Sequence, residues 1–518
     1  TNQRFTIMQR LVKLLAVLAL LSTARADVTM PALFADHMVL QREMKLPVWG
    51  WAEPGEKVTV AFAGQTAAAT ADAKGDWKVV LKPVTGTDPL TMTVTGKNTV
   101  AIKDILMGEV WICSGQSNMN FRVGRCQNLA QEKAAANFPK LRHYQIRNTV
   151  CPEPNRKLAG NWTICSPDTV AGYTGTGYFF GRELHTQLGV PVGLVHTSWG
   201  GTPAEAWTSR EDLEANPDLK PILDRFAVDL EKYPERKVKH DAAVAAWRVK
   251  AKAIRAAGKK PGRAPRPPKS RTHYQSPCGL YNGMILSVAP FAARGAIWYQ
   301  GESNAGRGEQ YRILLPAMIQ NWRRIWGQDS MSFGIVQLAN FRAAQTDPDE
   351  KSAWAELRES QTWTAKNVPD CGMATIIDVG MAKDIHPVNK QDVGKRLALW
   401  ALATDYGKDI VYSGPDYKAM KKEGKTIRLS FDHVGGGLVA KGNALKGFTI
   451  AGADKKFVWA DAKIVGNEIV LQAEAVADPV AVRYGWANNP PCSLYNQEGL
   501  PAVPFRTDDW PGVTDGKR

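Results

Sequence analysis

The chain has 518 residues, 44% hydrophobic and 22% charged. That balance excludes a disordered or fibrous polymer and leaves length for about two to four structural units. The formal charge of +16 raises nucleic acid as a partner, but the distribution of the cations argues against it: some sit in an amino-terminal leader and many others in one segment, Lys237 to Arg271.

In chain order, Lys13 precedes the apolar run Leu14 to Leu21, and Ala24-Arg25-Ala26 follows. A charged start, a short apolar stretch and an A-x-A site form a signal peptide over residues 1–26, cleaved near Ala26 to begin at Asp27. The run is well short of the roughly 20 residues a spanning helix needs, so no stable membrane insertion is expected. The protein is expected to be exported, periplasmic or secreted, and export further disfavours a nucleic-acid partner.

Residues 27–104 carry short alternating runs such as Lys57 to Phe62 and Leu90 to Thr95, broken by glycine turns, and predict a β-sandwich. From 105 to 406, apolar strands alternate with helical stretches, the pattern of an α/β sheet flanked by helices. The first strand ends in Gly108-Glu-Val-Trp-Ile-Cys-Ser-Gly-Gln-Ser-Asn-Met119. Four apolar residues stop abruptly in a small polar turn, which places a serine hydroxyl at a sheet's C-terminal rim, where open α/β sheets bind ligands. Ser117 is the candidate nucleophile, with Ser114 the alternative in the same turn.

The next strand-to-turn segment is Val195-His-Thr-Ser-Trp-Gly-Gly-Thr-Pro-Ala-Glu-Ala-Trp207. Gly200 and Gly201 are candidates for backbone oxyanion donors. His196 precedes the turn and reads as a core histidine more readily than as a base. Residues 211–271 form a basic insertion, helical through Ala257 and then a Pro/Gly-rich loop; a solvated face is its first reading and a non-specific contact with an acidic polysaccharide or a cell surface its second. A third strand ends in Ala296-Ile-Trp-Tyr-Gln-Gly-Glu-Ser-Asn304. There Gln300 is a candidate oxyanion donor and Glu302 a possible second acid.

The base comes from Asp384-Ile-His386-Pro387. A seryl hydroxyl needs a base with a pKa near neutrality, and the imidazole needs an acid to hold its tautomer. Asp384 is placed to bracket the ring. A helix is predicted from Pro387 to about Leu402. Residues 407–518 return to strand patterns, among them Thr426 to Phe431, Glu468 to Gln472 and Ala481 to Tyr484, and predict a second β region.

Seven cysteines are too few for a disulfide scaffold, and their odd number leaves at least one thiol unpaired in a monomer. Cys113, in an apolar strand, is the expected free thiol, and a bridge is expected among Cys126, Cys151 and Cys165. No Cys/His or Asp-x-Asp spacing points to a metal, and none is expected.

These blocks together resemble the sialate O-acetylesterase family of the SGNH/GDSL hydrolase superfamily. The matching pieces are the serine run, Trp-Gly-Gly-Thr-Pro, Trp-Tyr-Gln-Gly-Glu-Ser-Asn and Asp-Ile-His-Pro-x-Asn-Lys. Leu33 to Arg42 and Leu494 to Arg506 also fit, so the likeness covers nearly the whole chain after the leader. The resemblance implies a flavodoxin-type three-layer catalytic domain with β-sandwich or jelly-roll regions on either side. It also implies a serine esterase without cofactor that removes acetyl groups from carbohydrate. Ser117 maps to the nucleophile, His386 to the base and Asp384 to its acid. The oxyanion donors map to Ser117, Gly200 or Gly201, and Gln300. One departure is Asp-x-His where many superfamily members carry Asp-x-x-His, which leaves Glu302 a share of the acid role. Alternative readings are an acetylesterase for xylan or xyloglucan and a non-catalytic carbohydrate-binding protein that stacks sugars on Trp199, Trp207, Trp298 and Tyr299.

Overall fold

The computed structural model describes residues 27–157, 159–442 and 444–518. The expected signal peptide, residues 1–26, lies outside them. Among the described residues no helix is long and apolar enough to cross a membrane.

Seven strands build the central sheet: β1 (Thr99–Gly115), β2 (Phe138–Ile146), β3 (Gly160–Cys165), β4 (Val192–Ser198), β5 (Gly295–Tyr299), β6 (Ser332–Val336) and β7 (Cys371–Ala374). Their spatial order is β7-β6-β5-β1-β4-β2-β3. All neighbours are parallel except β2 and β3, which are antiparallel. Here β4 and β5 take both sides of β1, β6 and β7 follow beyond β5, and β2 pairs with β4.

A parallel sheet covered on both faces reads as continuous apolar runs, and alternation then sorts the residues between the two sides. In β1, Val110 and Ile112 join one core cluster while Trp111 and Cys113 join the other. In β5, Ala296 and Trp298 divide from Ile297 and Tyr299 in the same way. On one face pack α4 (Gly308–Trp326) and α5 (Ala353–Asn367), through Leu314, Met318, Trp322 and Leu357. On the other pack α1 (Gly175–Leu188) and α6 (Lys390–Thr404), through Phe180, Leu184, Leu397 and Ala401. Side chains this enclosed stabilise by roughly 1.5–3 kcal/mol each. Between the β4 and β5 segments lie α2 (Lys220–Glu231) and α3 (Tyr233–Ala256), both mostly exposed.

Strand β1 is 17 residues long. Its first half pairs antiparallel with Leu90–Thr95, its middle with Val39–Gln41, and its last part enters the central sheet. The division drawn from sequence at 104/105 therefore falls inside one strand. Before it, two antiparallel sheets share an apolar interior that includes Val48, Val79, Val58 and Val60. Beyond residue 407, two four-stranded antiparallel sheets and a two-stranded one close over Ile427, Leu429, Phe448, Ile450 and Val482. This region is tied to α5, where Arg506 grips Glu359 and the Arg358 guanidinium donates to the carbonyls of Ala487 and Asn488.

All seven cysteines are unpaired, against the expected bridge. Cys126 Sγ faces the carbonyl of Arg122 and Cys165 Sγ that of Ala136, so each is a small buried side chain on its own element. Cys151 lies beside Asn155, at 3.6 Å.

Candidate active site

The register of the sheet assembles the site. Ser198 of β4 and Tyr299 of β5 are both level with Gly115 of β1, so three strands end together and their turns converge at one rim. Gly115 has φ 133°, and a Cβ there would meet the Tyr299 carbonyl oxygen at 2.2 Å. Glycine is thus required where β1 turns toward Ser117.

Ser117 is half-buried in that turn. Its Oγ lies 2.9 Å from His386 Nε2. On the other side of the ring, His386 Nδ1 is 3.1 Å from Asp384 Oδ1, and the same oxygen accepts the His386 backbone N–H at 2.9 Å. This Asx-type turn lets a carboxylate two residues upstream reach the ring that follows it. With its proton on Nδ1, the imidazole presents Nε2 as acceptor to the serine hydroxyl. Burial lowers the His386 pKa, and Asp384 partly opposes that shift. The Asp384 carboxyl is held below its ordinary value, chiefly by the backbone N–H of His386.

Gly200 backs onto the serine: a Cβ there would lie 3.2 Å from that of Ser117. Among the described residues, no protein carbonyl accepts the N–H of Ser117 or of Gly200. Gly201 turns away with φ 76°, and its carbonyl accepts from Gln275 Nε2 at 2.6 Å.

Gln300 has no amide hydrogen left for an oxyanion. It is fully buried, its Nε2 donates to Asn304 Oδ1 and the Thr202 carbonyl, and its Oε1 accepts from Tyr311. Its role is to fix the Thr202 loop to the β5 turn. Asn304 reinforces this by accepting the Ala204 N–H and donating to Glu205. Glu302 does not bond to His386. Its Oε1 accepts from Asn118 Nδ2 at 2.6 Å, and its Oε2 is enclosed without a partner. Burial raises its pKa.

Asn118 and Lys390 are the residues that motif reading passed over. Asn118 Nδ2 also donates to the Ile385 carbonyl at 3.0 Å, and Lys390 Nζ donates to the Pro387 carbonyl at 2.8 Å. Lys390 also donates to Asn118 Oδ1 at 2.7 Å. The peptides on both sides of His386 are thereby pinned by one buried network that ends on Glu302. Burial pushes the Lys390 ammonium down to about 7. The available signal was a lysine on the same helical face as Val393, Leu397 and Ala401, where a cation is costly unless bonded. The same network corrects the predicted helix start. Pro387 lies outside the helix, and α6 begins at Lys390 with Asn389 as its side-chain cap.

The remaining candidates fall elsewhere. His196 is fully buried, bonds to Ser198 Oγ at 2.6 Å and packs against His143. Ser114 is fully buried with its hydroxyl unpartnered. Of the four rings proposed to stack on sugars, Trp207, Trp298 and Tyr299 are interior: Trp298 and Tyr299 lie on β5, both of whose faces are covered, and Trp207, in the turn after β4, packs edge-on against Trp298 and donates to Thr202 Oγ1. Trp199 is partly exposed and stacks on Tyr274, with ring centroids 5.8 Å apart and planes at 17°.

A family model described as carbohydrate esterase, sialic acid-specific acetylesterase, matches residues 107–233 and 270–402. The mouse sialate O-acetylesterase is 28% identical, with 91% of this chain and 92% of the mouse protein aligned. The human sialate O-acetylesterase is also 28% identical, with 92% of each chain aligned. A carbohydrate acetylesterase from Xanthomonas citri, known from its crystal structure, is 38% identical and superposes with a TM-score of 0.79 over 93% of this chain and 100% of its own. The matched family segments hold Ser117, Gly200, Glu302 and His386, and on this evidence the chain belongs to the sialic acid-specific acetylesterase family of carbohydrate esterases.

Proposed function

We propose that the protein is an exported serine esterase of SGNH type that removes O-acetyl groups from carbohydrate, with sialate esters the first substrates to try. The observation that carries this reading is the continuous Asp384–His386–Ser117 hydrogen-bond chain at the strand rim, beside Gly200. In the proposed mechanism Ser117 Oγ attacks the acetyl carbonyl carbon as its proton passes to His386 Nε2. The N–H groups of Ser117 and Gly200 stabilise the oxyanion. Collapse breaks the ester C–O bond, and the sugar oxygen leaves with the proton from His386. Water, deprotonated by His386, then attacks the acetyl-serine and releases acetate. Asp384 orients the imidazole and stabilises its charged form. Asn118 and Lys390 are positioning residues that hold the peptides flanking His386. The leader-like segment before Asp27 supports export.

The test is acetate release from a panel of acetylated glycans, sialate, xylan and xyloglucan esters included, by the protein and by Ser117→Ala. Release from one or more members that depends on Ser117 is the expected result, and release unaffected by the substitution overturns the mechanism.

A further inference from the structure

The charge of this chain is concentrated in one place. Residues 1–26 hold four Lys or Arg and no Asp or Glu, while residues 232–271 hold fourteen and two. The rest of the chain is balanced, forty-eight of each. After the leader, the entire net charge therefore sits in a forty-residue arm made of α3 and the loop that returns along it. The family match omits residues 234–269, so the arm lies outside the machinery the family model describes.

The arm is built rather than loose. The loop returns against α3, where Trp247 Nε1 donates to the Gly262 carbonyl at 3.0 Å and His240 approaches that of Pro265. Its root forms one wall of a cleft of about 630 Å³ whose lining includes Arg236, Arg266 and Lys269, with Gly201 and Ser303 from the catalytic rim. Asp229 pairs with Arg236 at 2.6 Å and approaches Lys269 at 3.7 Å, which leaves the lining cationic. The cleft ends at Gly201, one residue from the Gly200 that backs onto Ser117, and Tyr274 of the stacked Trp199–Tyr274 pair lines it.

We propose that this arm and cleft bind the carboxylates of an acidic polysaccharide, on sugar units other than the acetylated one, and so deliver the ester to Ser117; this rests on the esterase reading above. Guanidinium groups match carboxylates bidentately, and an aromatic face beside them suits a sugar ring. A cleft that ends at the rim selects a chain able to thread past the serine. A membrane surface cannot enter it, and a nucleic acid, whose esters are phosphodiesters, has no acetyl group to present.

The test compares acetylated glucuronoxylan with the same polymer after carboxyl reduction, which removes the charges and keeps the acetyl esters. The expected result is a KM for the acidic form about tenfold lower at ~50 mM salt, a ratio that collapses toward one at ~300 mM. The ratio also collapses in Arg236→Gln/Arg266→Gln/Lys269→Gln at low salt, and as an internal ratio it does not depend on how much of the variant folds. A ratio of one in the unaltered protein overturns the proposal, as does a ratio kept in the triple variant. Equal affinity at matched salt for duplex DNA or anionic vesicles also overturns it, because the arm is then a general anion surface. If the acidic polymer binds in preference to its reduced form but neither it nor any member of the acetylated-glycan panel is deacetylated, the esterase reading fails and the docking site stands.

Discussion

One oxygen of Asp384 holds both the backbone N–H and the ring Nδ1 of His386, at 2.9 and 3.1 Å. The carboxylate is half exposed, with 50% of its side-chain surface accessible. Its hold on the imidazolium is therefore weaker than that of a buried triad acid, for which the corresponding Asn substitution costs about 10⁴ in kcat. Asp384→Asn is expected to lower kcat by less than that but by more than Glu302→Gln, whose carboxyl contacts Asn118 and not the ring. Steady-state kinetics of the two folded variants decide the order.

Ser117→Ala should reduce 4-nitrophenyl acetate turnover by several orders of magnitude, as loss of a nucleophile does. Ser114→Ala should cost far less, because its hydroxyl is buried and bonded to nothing. A serine-directed phosphonate, located by peptide mass mapping, should label Ser117.

The pH profile follows from the environment of the base. Burial lowers the His386 pKa, so the neutral, basic form persists below pH 6.5, and the acid limb of kcat/KM should fall below that value. Asp384 raises the same pKa. Asp384→Asn should therefore move the acid limb to lower pH still, and a shift upward contradicts the assignment.

Lys390 gives a stability prediction with a definite sign. Its folded pKa is about 7 against an ordinary 10.5. Between those values the unfolded chain binds the extra proton, so this group makes stability rise with pH across that window. Lys390→Met removes the effect. Relative to the variant, the unaltered protein should gain stability from pH 7 to 10 in urea titrations, and parallel curves would place the ammonium in solvent.

Thiol titration under denaturing, non-reducing conditions should find seven free groups. In the native protein Cys113 should react last, since it is fully enclosed and burial raises its pKa strongly.

What could be read from sequence was position along a strand. Ser117, Gly200 and Glu302 each follow an apolar run that ends in small polar residues, and such runs end at one rim whenever the strands are parallel. What could not be read was the partner of each polar group. Gln300 looks like a free amide until Asn304 and Thr202 are seen to take its hydrogens. Trp298 and Tyr299 look available for sugars until both faces of β5 are covered. Lys390 looks like a surface cation, although its helical face is apolar. Cysteine pairing depends on Cα geometry, which spacing along the chain does not reveal.

The unbroken course of β1 has a mechanical consequence. A chain shortened to begin at residue 105 would lose the strands that flank Ile105, Leu106 and Met107, all nearly inaccessible in the fold. That edge would then stand bare about ten residues upstream of Ser117. The amino-terminal sheets thus act as a clamp on the rod whose far end carries the serine.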